Sequence, residues 1–403
     1  MLKIAVIGGG ASGLMAAGKA HENGADVTIF EKNSKFGRKI AITGKGRCNL
    51  TNNCSEAEFI ASVVTNPKFL YSCISAFSPA DTINFFESRK VSLKTERGGR
   101  VFPVSDRAYD IVDALGCYAS KCTVIRQAVT NVSVNADGSF AVFCGDDVFY
   151  FDKIILCTGG ASYPLTGSTG DGYRFALSMG HTVVPIRPSL VPLNTSGPHN
   201  LSGLTLKNVN FFLFRNEKVL FSKTGEMLFT HFGISGPLVL SASAYLGGNT
   251  ENVTAAIDLK PALDLQTLLT RVQSDFEKYK NRNLDNALSD LMPLRLIPEF
   301  ISCTGISGFR KVNTLTNGEI RQIATLLKSF PITQLSLRSV DEAIITGGGV
   351  SVKEINPKTM QSKIVPGLYF AGEIIDVDAL TGGFNLQIAF STGRCAGNAA
   401  SSE

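Results

Sequence analysis

The spacing of hydrophobic and polar residues predicts a strand–helix–strand unit at the start of the chain. Residues 2–7 (LKIAVI) form a continuous apolar run, which is typical of a strand buried on both faces of a parallel sheet. Residues 14–23 are compatible with a helix, Gly24 is a plausible stop, and residues 27–30 are strand-like. Together they predict a βαβ unit of about 30 residues.

The middle of the chain changes its pattern several times. Residues 78–86 predict a helix with Ser78 as N-cap, whereas residues 124–157 hold short β-rich runs and turn residues that predict an antiparallel meander. Three prolines, at positions 185, 188 and 192, mark a boundary. Beyond it VNFFLF, KVLF and EMLFT predict strands joined by polar turns. Residues 262–330 then take helical spacing, and Thr316 with Glu319 resembles a capping box.

From about residue 338 the glycine-rich strand–turn–helix pattern of the N-terminus returns. The simplest architecture is α/β, with a doubly wound (Rossmann-like) domain built from residues 1–188 and 336–403. An insertion separates these two segments. We expect a β-barrel-like part at 189–261 and a helical subdomain at 262–335.

Composition narrows the function classes. With 44% hydrophobic residues in 403, wholesale disorder is excluded, and no apolar stretch is long enough for a membrane span. The net charge of +5 is spread along the chain, so we expect no nucleic-acid partner. Nine cysteines without a CxxC pair, and no signal peptide, predict reduced thiols in a cytoplasmic protein. No metal site is predicted, and the oligomeric state stays open.

A GxGxxG pattern follows the first strand and opens the first helix. Gly8, Gly10 and Gly13 permit a tight turn, a close approach to a pyrophosphate, and close helix packing. The backbone amides of Ala11 and Ser12 lie at the N-terminus of the predicted helix, where free amides can bind phosphate. Glu31 ends the second strand, 18 residues after Gly13, where an acid can accept hydrogen bonds from ribose hydroxyls. This combination predicts a dinucleotide site.

The C-terminal segment favours FAD over NAD. Residues 367–397 predict a strand, an acidic turn, a glycine pair and a helix. Gly372 and Glu373 end the strand, and Glu373 could bond ribityl hydroxyls or approach the pyrophosphate through water. The amides of Gly382, Gly383 and Phe384 open the helix, where they would stabilise negative charge on a reduced flavin.

Two further segments are rich in glycine or cations. Residues 37–47 hold four cations and three glycines, which suits a loop along a diphosphate and a flavin edge. We place Arg38, Lys39, Gly44, Gly46, Arg47, Cys48 and Asn49 there. Thr158, Gly159 and Gly160 end a buried strand, where backbone could pass close to the cofactor. Gly349, in a TGGGV run, is expected near the ring system.

Together these segments resemble one known family. The runs RKIAITGKGRCNLTN, GGRVFP, LCTGGASYPLTGSTGDGY, FTHFGISGP, GGGVSVKEINPKTM and GEIIDVDALTGGFNLQIA are similar to those of the BaiN-like flavoproteins, a group that includes aminoacetone oxidase-like enzymes. The resemblance covers nearly the whole chain. It implies an FAD domain with an inserted β-barrel and a helical subdomain, and non-covalent FAD.

The resemblance also implies particular cofactor contacts. By position these are Gly10, Ser12, Gly13, Glu31, Lys32, Arg38, Gly46, Arg47, Gly160, Glu373 and Asn385, with Val129 binding adenine through its backbone. No second GxGxxG follows a strand in mid-chain, so a dedicated NAD(P)H domain is not expected. NAD(P)H would then be a transient electron donor.

Three functions remain open. The first is NAD(P)H-driven reduction of an activated C=C bond in a steroid-like or other enone by hydride transfer from flavin N5, which we favour. The second is an oxygen-dependent amine oxidase, and the third is a flavoprotein that acts mainly by binding a partner. A small-molecule substrate is expected. His231 and Tyr163 are candidate proton donors, and Arg100 is a candidate anion clamp. Cys48 beside Arg47 could have a lowered pKa, although a structural thiol is the simpler interpretation.

Overall fold

The computed structural model describes residues 1–196 and 199–402. Its contacts divide the chain into two units, one formed by Met1–Ser189 with Ser339–Glu403 and the other by Leu190–Arg338. The chain therefore leaves the first unit once and returns to it. In the described residues no helix is both long and apolar enough to cross a bilayer.

The strands of the described residues are, in chain order, β1 (Lys3–Ile7), β2 (Asp26–Phe30), β3 (Thr51–Asn52), β4 (Val63–Thr65), β5 (Leu93–Glu96), β6 (Arg100–Pro103), β7 (Thr123–Ile125), β8 (Asn131–Val134), β9 (Phe140–Cys144), β10 (Asp147–Phe151), β11 (Lys153–Leu156), β12 (Val183–Ser189), β13 (Leu193–Asn194), β14 (Thr205–Arg215), β15 (Lys218–Phe229), β16 (Gly233–Ser235), β17 (Val253–Asp258), β18 (Phe330–Ile332), β19 (Ser336–Leu337), β20 (Ile345–Val350), β21 (Leu368–Phe370) and β22 (Asp378–Ala379).

The α-helices are α1 (Ala11–Glu22), α2 (Arg38–Ile42), α3 (Glu56–Ala61), α4 (Tyr71–Ala76), α5 (Pro79–Glu87), α6 (Ala108–Tyr118), α7 (Asp171–Ser178), α8 (Pro237–Ala244), α9 (Leu265–Lys278), α10 (Leu284–Ala287), α11 (Ile297–Thr304), α12 (Asn317–Lys328) and α13 (Phe384–Ser401). The capping boxes at Ser78 and Thr316 open α5 and α12 as the sequence predicts.

The first unit is built on a five-stranded parallel sheet in the order β21-β11-β1-β2-β7. β1 lies at its centre with four of its five residues buried, as its apolar run predicts. This confirms the Rossmann-like fold class. The first unit also contains smaller sheets, β8-β9-β10 and β3-β6-β5, and the pairs β4-β22 and β12-β20.

The two chain ends meet where α1 packs on α13. A Cβ built on Gly393 would lie 2.4 Å from Ser12 O, and one on Gly397 would lie 2.3 Å from Ala16 O. Only glycine allows the two helix backbones to come this close. The last helix is therefore held against the helix that follows the N-terminal glycine turn.

The predicted meander at 124–157 was too long at both ends. β7 pairs in parallel with β2, and β11 pairs in parallel with β1, so both belong to the parallel sheet. Only β8, β9 and β10 form the antiparallel meander. Strands of three or four residues carry too little periodicity to show which sheet they join.

The second unit combines a seven-stranded sheet with helices. The strand order is β18-β17-β14-β15-β16-β13-β19. KVLF and EMLFT, which the sequence suggested were separate strands, lie in one continuous strand, β15. Buried side chains from this sheet, such as Phe211, and from the helices, such as Phe300, belong to one hydrophobic cluster. The strands and helices of this unit therefore share a core.

Candidate cofactor site

The three glycines of the first turn have different surroundings. Gly8 has φ +108°, and a Cβ there would lie 2.4 Å from Cys157 O. A Cβ on Gly13 would lie 1.8 Å from Gly8 O, so no side chain fits between α1 and the turn. A Cβ on Gly10, in contrast, would meet nothing within 4 Å apart from its chain neighbours. The middle glycine therefore borders open space at the N-terminus of α1, which is the cradle a diphosphate requires.

Glu31 lies at the end of β2 and is 8% exposed. Its Oε2 accepts a hydrogen bond from Gly9 N at 2.8 Å, and its Oε1 accepts from Asn33 N at 2.8 Å. These two amides fix the carboxylate beside the glycine turn. A carboxylate at this position can accept further hydrogen bonds from ribose hydroxyls, since each oxygen has two lone pairs.

Lys39, on α2, is the centre of a polar cluster with residues from the C-terminal half of the first unit. Its Nζ lies 2.6 Å from Glu373 Oε2 and donates to Ser162 Oγ at 2.7 Å. Glu373 Oε1 also accepts from Thr346 N at 2.8 Å and from Ser162 Oγ at 3.0 Å. Burial acts to raise the pKa of Glu373, but Lys39 and these donors outweigh it and hold the pKa below its ordinary value.

Gly160 passes directly over this cluster. A Cβ there would lie 2.2 Å from Thr346 Oγ1 and 2.8 Å from Glu373 Oε1. Thr346 Oγ1 in turn accepts from Ala161 N at 2.8 Å. The backbone after β11, the start of β20 and the turn after β21 are thus joined by short polar contacts.

The cationic loop at 43–48 is bent by left-handed backbone. Gly44, Lys45 and Cys48 have φ values of 56°, 60° and 60°. Lys45 and Cys48 are not glycine, so their conformation carries strain, which is common at functional loops. Burial raises the pKa of Cys48 to about 12, although the hydrogen bond with Thr43 acts to lower it. The simpler expectation of a structural thiol therefore fits the environment of Cys48.

Arg47 is engaged by other side chains of the protein. Its guanidinium pairs with Glu96 and with Asp106, the latter at 2.7 Å, and lies 4.3 Å from the centre of the Phe102 ring. The two carboxylates and the ring fix Arg47 on the β5–β6 hairpin. A contact between Arg47 and FAD thus stays a prediction, and it would compete with these interactions.

The glycine pair before α13 is held by two asparagines. Asn385 Oδ1 accepts from Ala379 N at 3.0 Å, and its Nδ2 donates to Ala379 O at 2.8 Å. Asn52 Nδ2 donates to Gly382 O at 3.0 Å. A Cβ on Gly383 would lie 2.3 Å from Thr51 O. These contacts fix the turn that opens α13, whose first amides have no partner within the helix.

The other predicted cofactor residues surround these groups. Lys32 pairs with Asp171 at 2.7 Å, and Arg38 donates to Asn33 Oδ1 at 2.7 Å. Gly372 N donates to Thr392 Oγ1 at 2.9 Å. The remaining predicted positions lie as follows: Thr158 and Gly159 after β11, Gly349 in β20, Val129 between β7 and β8, Gly46 and Asn49 in the loop before β3. Their contacts with a cofactor stay predictions.

The three candidate catalytic residues lie in separate structural elements. Arg100 is exposed on β6, and its Nε donates to Arg97 O at 3.1 Å. Tyr163 has φ 51° and begins a 3₁₀ turn in the first unit. His231 belongs to the second unit, where its ring contacts Phe232 edge-on at 4.9 Å. Their roles stay predictions.

Sequence reasoning missed a buried acidic pair at 376–378. Asp376 and Asp378 are 7% and 1% exposed, and they lie 4.0 Å and 3.8 Å from the Arg187 guanidinium. Burial raises the pKa of Asp376, although the positive charge of Arg187 acts to lower it. Asn66 and Ser189 donate to Asp376 and Asp378 respectively. The alternation of acidic and apolar residues in IIDVDAL is the only sequence signal for this pair.

Comparisons with known proteins identify the family of the chain. The family model of the HI0933-like protein Rossmann domain matches residues 2–399. A 3-dehydro-bile acid delta(4,6)-reductase of Clostridium scindens is 31% identical over 413 residues, which cover 99% of each chain. A ribosomal RNA dihydrouridine synthase of Escherichia coli is 31% identical over 399 residues, covering 96% of this chain and 95% of that one.

A solved structure is similar over its full length. The 3-ketosteroid delta1-dehydrogenase of Sterolibacterium denitrificans superposes with a TM-score of 0.52 at 13% identity, and the match covers 100% of both chains. At that identity the likeness concerns the fold. The predictions of a BaiN-like flavoprotein and of an FAD-dependent oxidoreductase are confirmed by the family match and the reductase relative. The chain belongs to the HI0933-like family.

Proposed function

We propose that the chain, carrying FAD, reduces a C=C bond that is conjugated to a carbonyl group. The names of the two curated relatives describe this one chemistry on different substrates. A 3-dehydro-bile acid with Δ4 unsaturation has a double bond next to its ketone, and a uridine has a C5=C6 bond next to its C4 carbonyl. In each case a hydride adds to the carbon remote from the carbonyl, and a proton adds to the carbon beside it.

One observation carries the proposal. Four neighbouring strands, in the order β21-β11-β1-β2, end at the same edge of the parallel sheet. Within four residues of these strand ends come Glu373, Gly160, Gly10 and Glu31 respectively. Ligands of such sheets bind at the carboxyl ends of the strands. The same edge thus presents an acid for ribose, a cradle for diphosphate and a polar cluster in one line. This line suits an elongated dinucleotide with adenosine at Glu31 and the ring system beyond Glu373.

The residues of the chain bind and orient, and FAD supplies hydride transfer through its N5 atom when bound. The N-terminus of α1 and the open face of Gly10 would hold the diphosphate. Glu373, held by Lys39, would accept hydrogen bonds from ribityl hydroxyls. The N-terminus of α13 would stabilise negative charge at the pyrimidine edge of the ring system. The proton for the substrate would come from Tyr163, which belongs to the first unit, and the role of His231 in the second unit stays a prediction of the sequence.

For the electron donor we propose NADH or NADPH, bound transiently. Anaerobic mixing of the FAD-loaded protein with each donor should bleach the flavin absorbance, and a steroid-like 3-oxo-4-ene should restore it. An amine that bleaches the flavin, with peroxide formed in air, would instead support the amine oxidase alternative. A flavin that none of these donors reduces would support a role in partner binding.

A steroid-like enone is our first choice of substrate, because the bile acid reductase matches this chain from end to end. Uridine in ribosomal RNA is the second candidate, since the E. coli relative and a Haemophilus influenzae relative of the same name are also 31% identical. If a uridine-containing RNA reoxidises the reduced flavin and the enone does not, uridine in RNA becomes the preferred substrate. Mass spectrometry of the product would show the two added hydrogens.

A further inference from the structure

A β-hairpin borders the turn that opens α13. β5 and β6 are antiparallel strands joined by residues 97–99. Asn52 Nδ2 donates to Gly98 O at 3.0 Å and also to Gly382 O at 3.0 Å. One amide nitrogen therefore links the hairpin tip to the glycine pair of the proposed flavin site. The side chain of Asn52 fills this space, because a Cβ on Gly99 would lie 2.4 Å from its Oδ1.

This hairpin and the loop beside it carry an excess of positive charge. Residues 43–53 and 93–106 contain five cations (Lys45, Arg47, Lys94, Arg97 and Arg100) and two carboxylates (Glu96 and Asp106). The local surplus is three positive charges, compared with +5 for the whole chain. The hairpin and the loop beside it are thus locally basic.

Both carboxylates are already occupied. Arg47 pairs with Glu96 and Asp106, and Lys94 lies 2.8 Å from Asp106. Arg100 reaches Glu96 only at 3.9 Å. In the described part of the chain no carboxylate lies within 4 Å of the charged groups of Lys45 or Arg97. The three exposed cations Lys45, Arg97 and Arg100, here called the cationic rim, therefore account for the surplus.

The Phe102 ring connects the hairpin with the loop that carries Lys45. Arg47 lies 4.3 Å and Arg100 lies 5.8 Å from the ring centre. A Cβ on Gly44 would lie 3.2 Å from the same ring, so the loop that carries Lys45 packs on β6. Arg100 Nε donates to Arg97 O at 3.1 Å, which fixes its side chain along the hairpin. Lys45 is exposed, and its left-handed backbone carries strain.

We propose that the cationic rim binds a negatively charged oxyanion of the substrate, a carboxylate or a phosphate, next to the proposed flavin site. Lys45, Arg97 and Arg100 are then specificity-determining residues that select anionic over neutral enones. This inference rests on the proposed function for the position of the flavin. Exposed cations attract an anion weakly one by one, but three of them on one rim act together.

The test measures binding to the oxidised, FAD-loaded protein, using the perturbation of flavin absorbance and titration calorimetry. A 3-oxo-4-ene bile acid is compared with its methyl ester, and a uridine-containing RNA oligonucleotide forms a separate arm. The variants are Lys45→Gln, Arg97→Gln, Arg100→Gln and the triple combination. Lys121→Gln, which removes another exposed lysine, is the matched control.

We expect the triple variant to bind the free acid about tenfold more weakly, with the ester unchanged and Lys121→Gln like wild type. If only the RNA loses affinity, with a smaller salt dependence, the oxyanion is a phosphate and the rim is still confirmed. Equal effects on acid and ester, or no effect on either acid or RNA, would overturn the proposal. If binding is charge-selective but neither the enone nor the RNA reoxidises the reduced flavin, the proposed function is refuted and the inference that the rim binds an oxyanion is upheld.

Discussion

Lys39 Nζ and Glu373 Oε2 are 2.6 Å apart, although their residues are separated by 334 positions in the chain. Lys39 belongs to helix α2, which follows the first βαβ unit, and Glu373 follows the edge strand β21. Their ion pair therefore joins the two chain segments that make up the first unit. It lies at the carboxyl edge of the parallel sheet, where we propose that FAD binds.

Lys39→Met should weaken FAD binding and lower the free energy of unfolding. Glu373 would then be a largely buried carboxylate without a cation, and losing a charged partner at such a site costs about 1–3 kcal/mol. The flavin-to-protein absorbance ratio after gel filtration and urea unfolding of the apoprotein measure the two effects. Lys35→Met, at an exposed lysine in the segment between β2 and α2, is the control and should match wild type. Full flavin content in Lys39→Met would remove Lys39 from the site.

Cys48 should resist thiol reagents in the folded protein. Its side chain is buried, and burial raises its pKa to about 12, so almost no thiolate is present at about pH 8. The exposed thiols of Cys117 and Cys303 should react with an aromatic disulfide reagent in the same sample. Peptide mass mapping before and after addition of urea separates these groups. Rapid labelling of Cys48 in the native state would mean that its loop opens, which would contradict the structural interpretation.

Much of the cofactor site was predictable because it depends on neighbours in sequence. The turn at Gly8–Gly13 and the acid at Glu31 follow from strand, helix and spacing within one βαβ unit. The meeting of the two chain ends was predictable from the returning glycine pattern. The tight contact between Gly393 and Ser12 is its structural basis.

The rest depends on partners that are remote in the chain. Arg47 is predicted to lie along the diphosphate because it is part of a cationic loop, and this contact stays a prediction. Its pairing with Glu96 and Asp106, which are 49 and 59 positions away, had no signal in the sequence. Arg187 and Asp378 come together only when β12 and the segment before α13 are in place. Local periodicity contains no information on such pairs, which tertiary packing decides.

His181 should make stability depend on pH. The ring is 3% exposed and lies between Ser362 Oγ at 2.8 Å and Glu354 Oε2 at 3.2 Å. Burial, partly offset by Glu354, lowers its pKa in the folded state. The unfolded chain therefore takes up the proton first as the pH falls below about 6.5, and stability is lost from there towards the lower folded pKa.

The measurement for His181 is urea unfolding between about pH 5 and pH 7.5, the range in which an ordinary histidine titrates. His181→Gln should flatten this part of the stability profile. His21→Gln, near the end of α1, is the control and should keep the wild-type slope. An unchanged slope in His181→Gln would mean that other groups cause the pH dependence.

Gly10 and Gly13 offer a test that separates folding from cofactor binding. A Cβ on Gly13 would lie 1.8 Å from Gly8 O, so Gly13→Ala must displace α1 and should lower the free energy of unfolding by several kcal/mol or abolish folding. At Gly10 a Cβ meets open space, and the backbone has φ −87°, which any residue can adopt. Gly10→Val should therefore fold as stably as the wild-type apoprotein but lose FAD, because its side chain occupies the cradle. The comparison uses apoprotein unfolding together with FAD titration. A stable, fully yellow Gly10→Val protein would show that the diphosphate does not lie at this helix end.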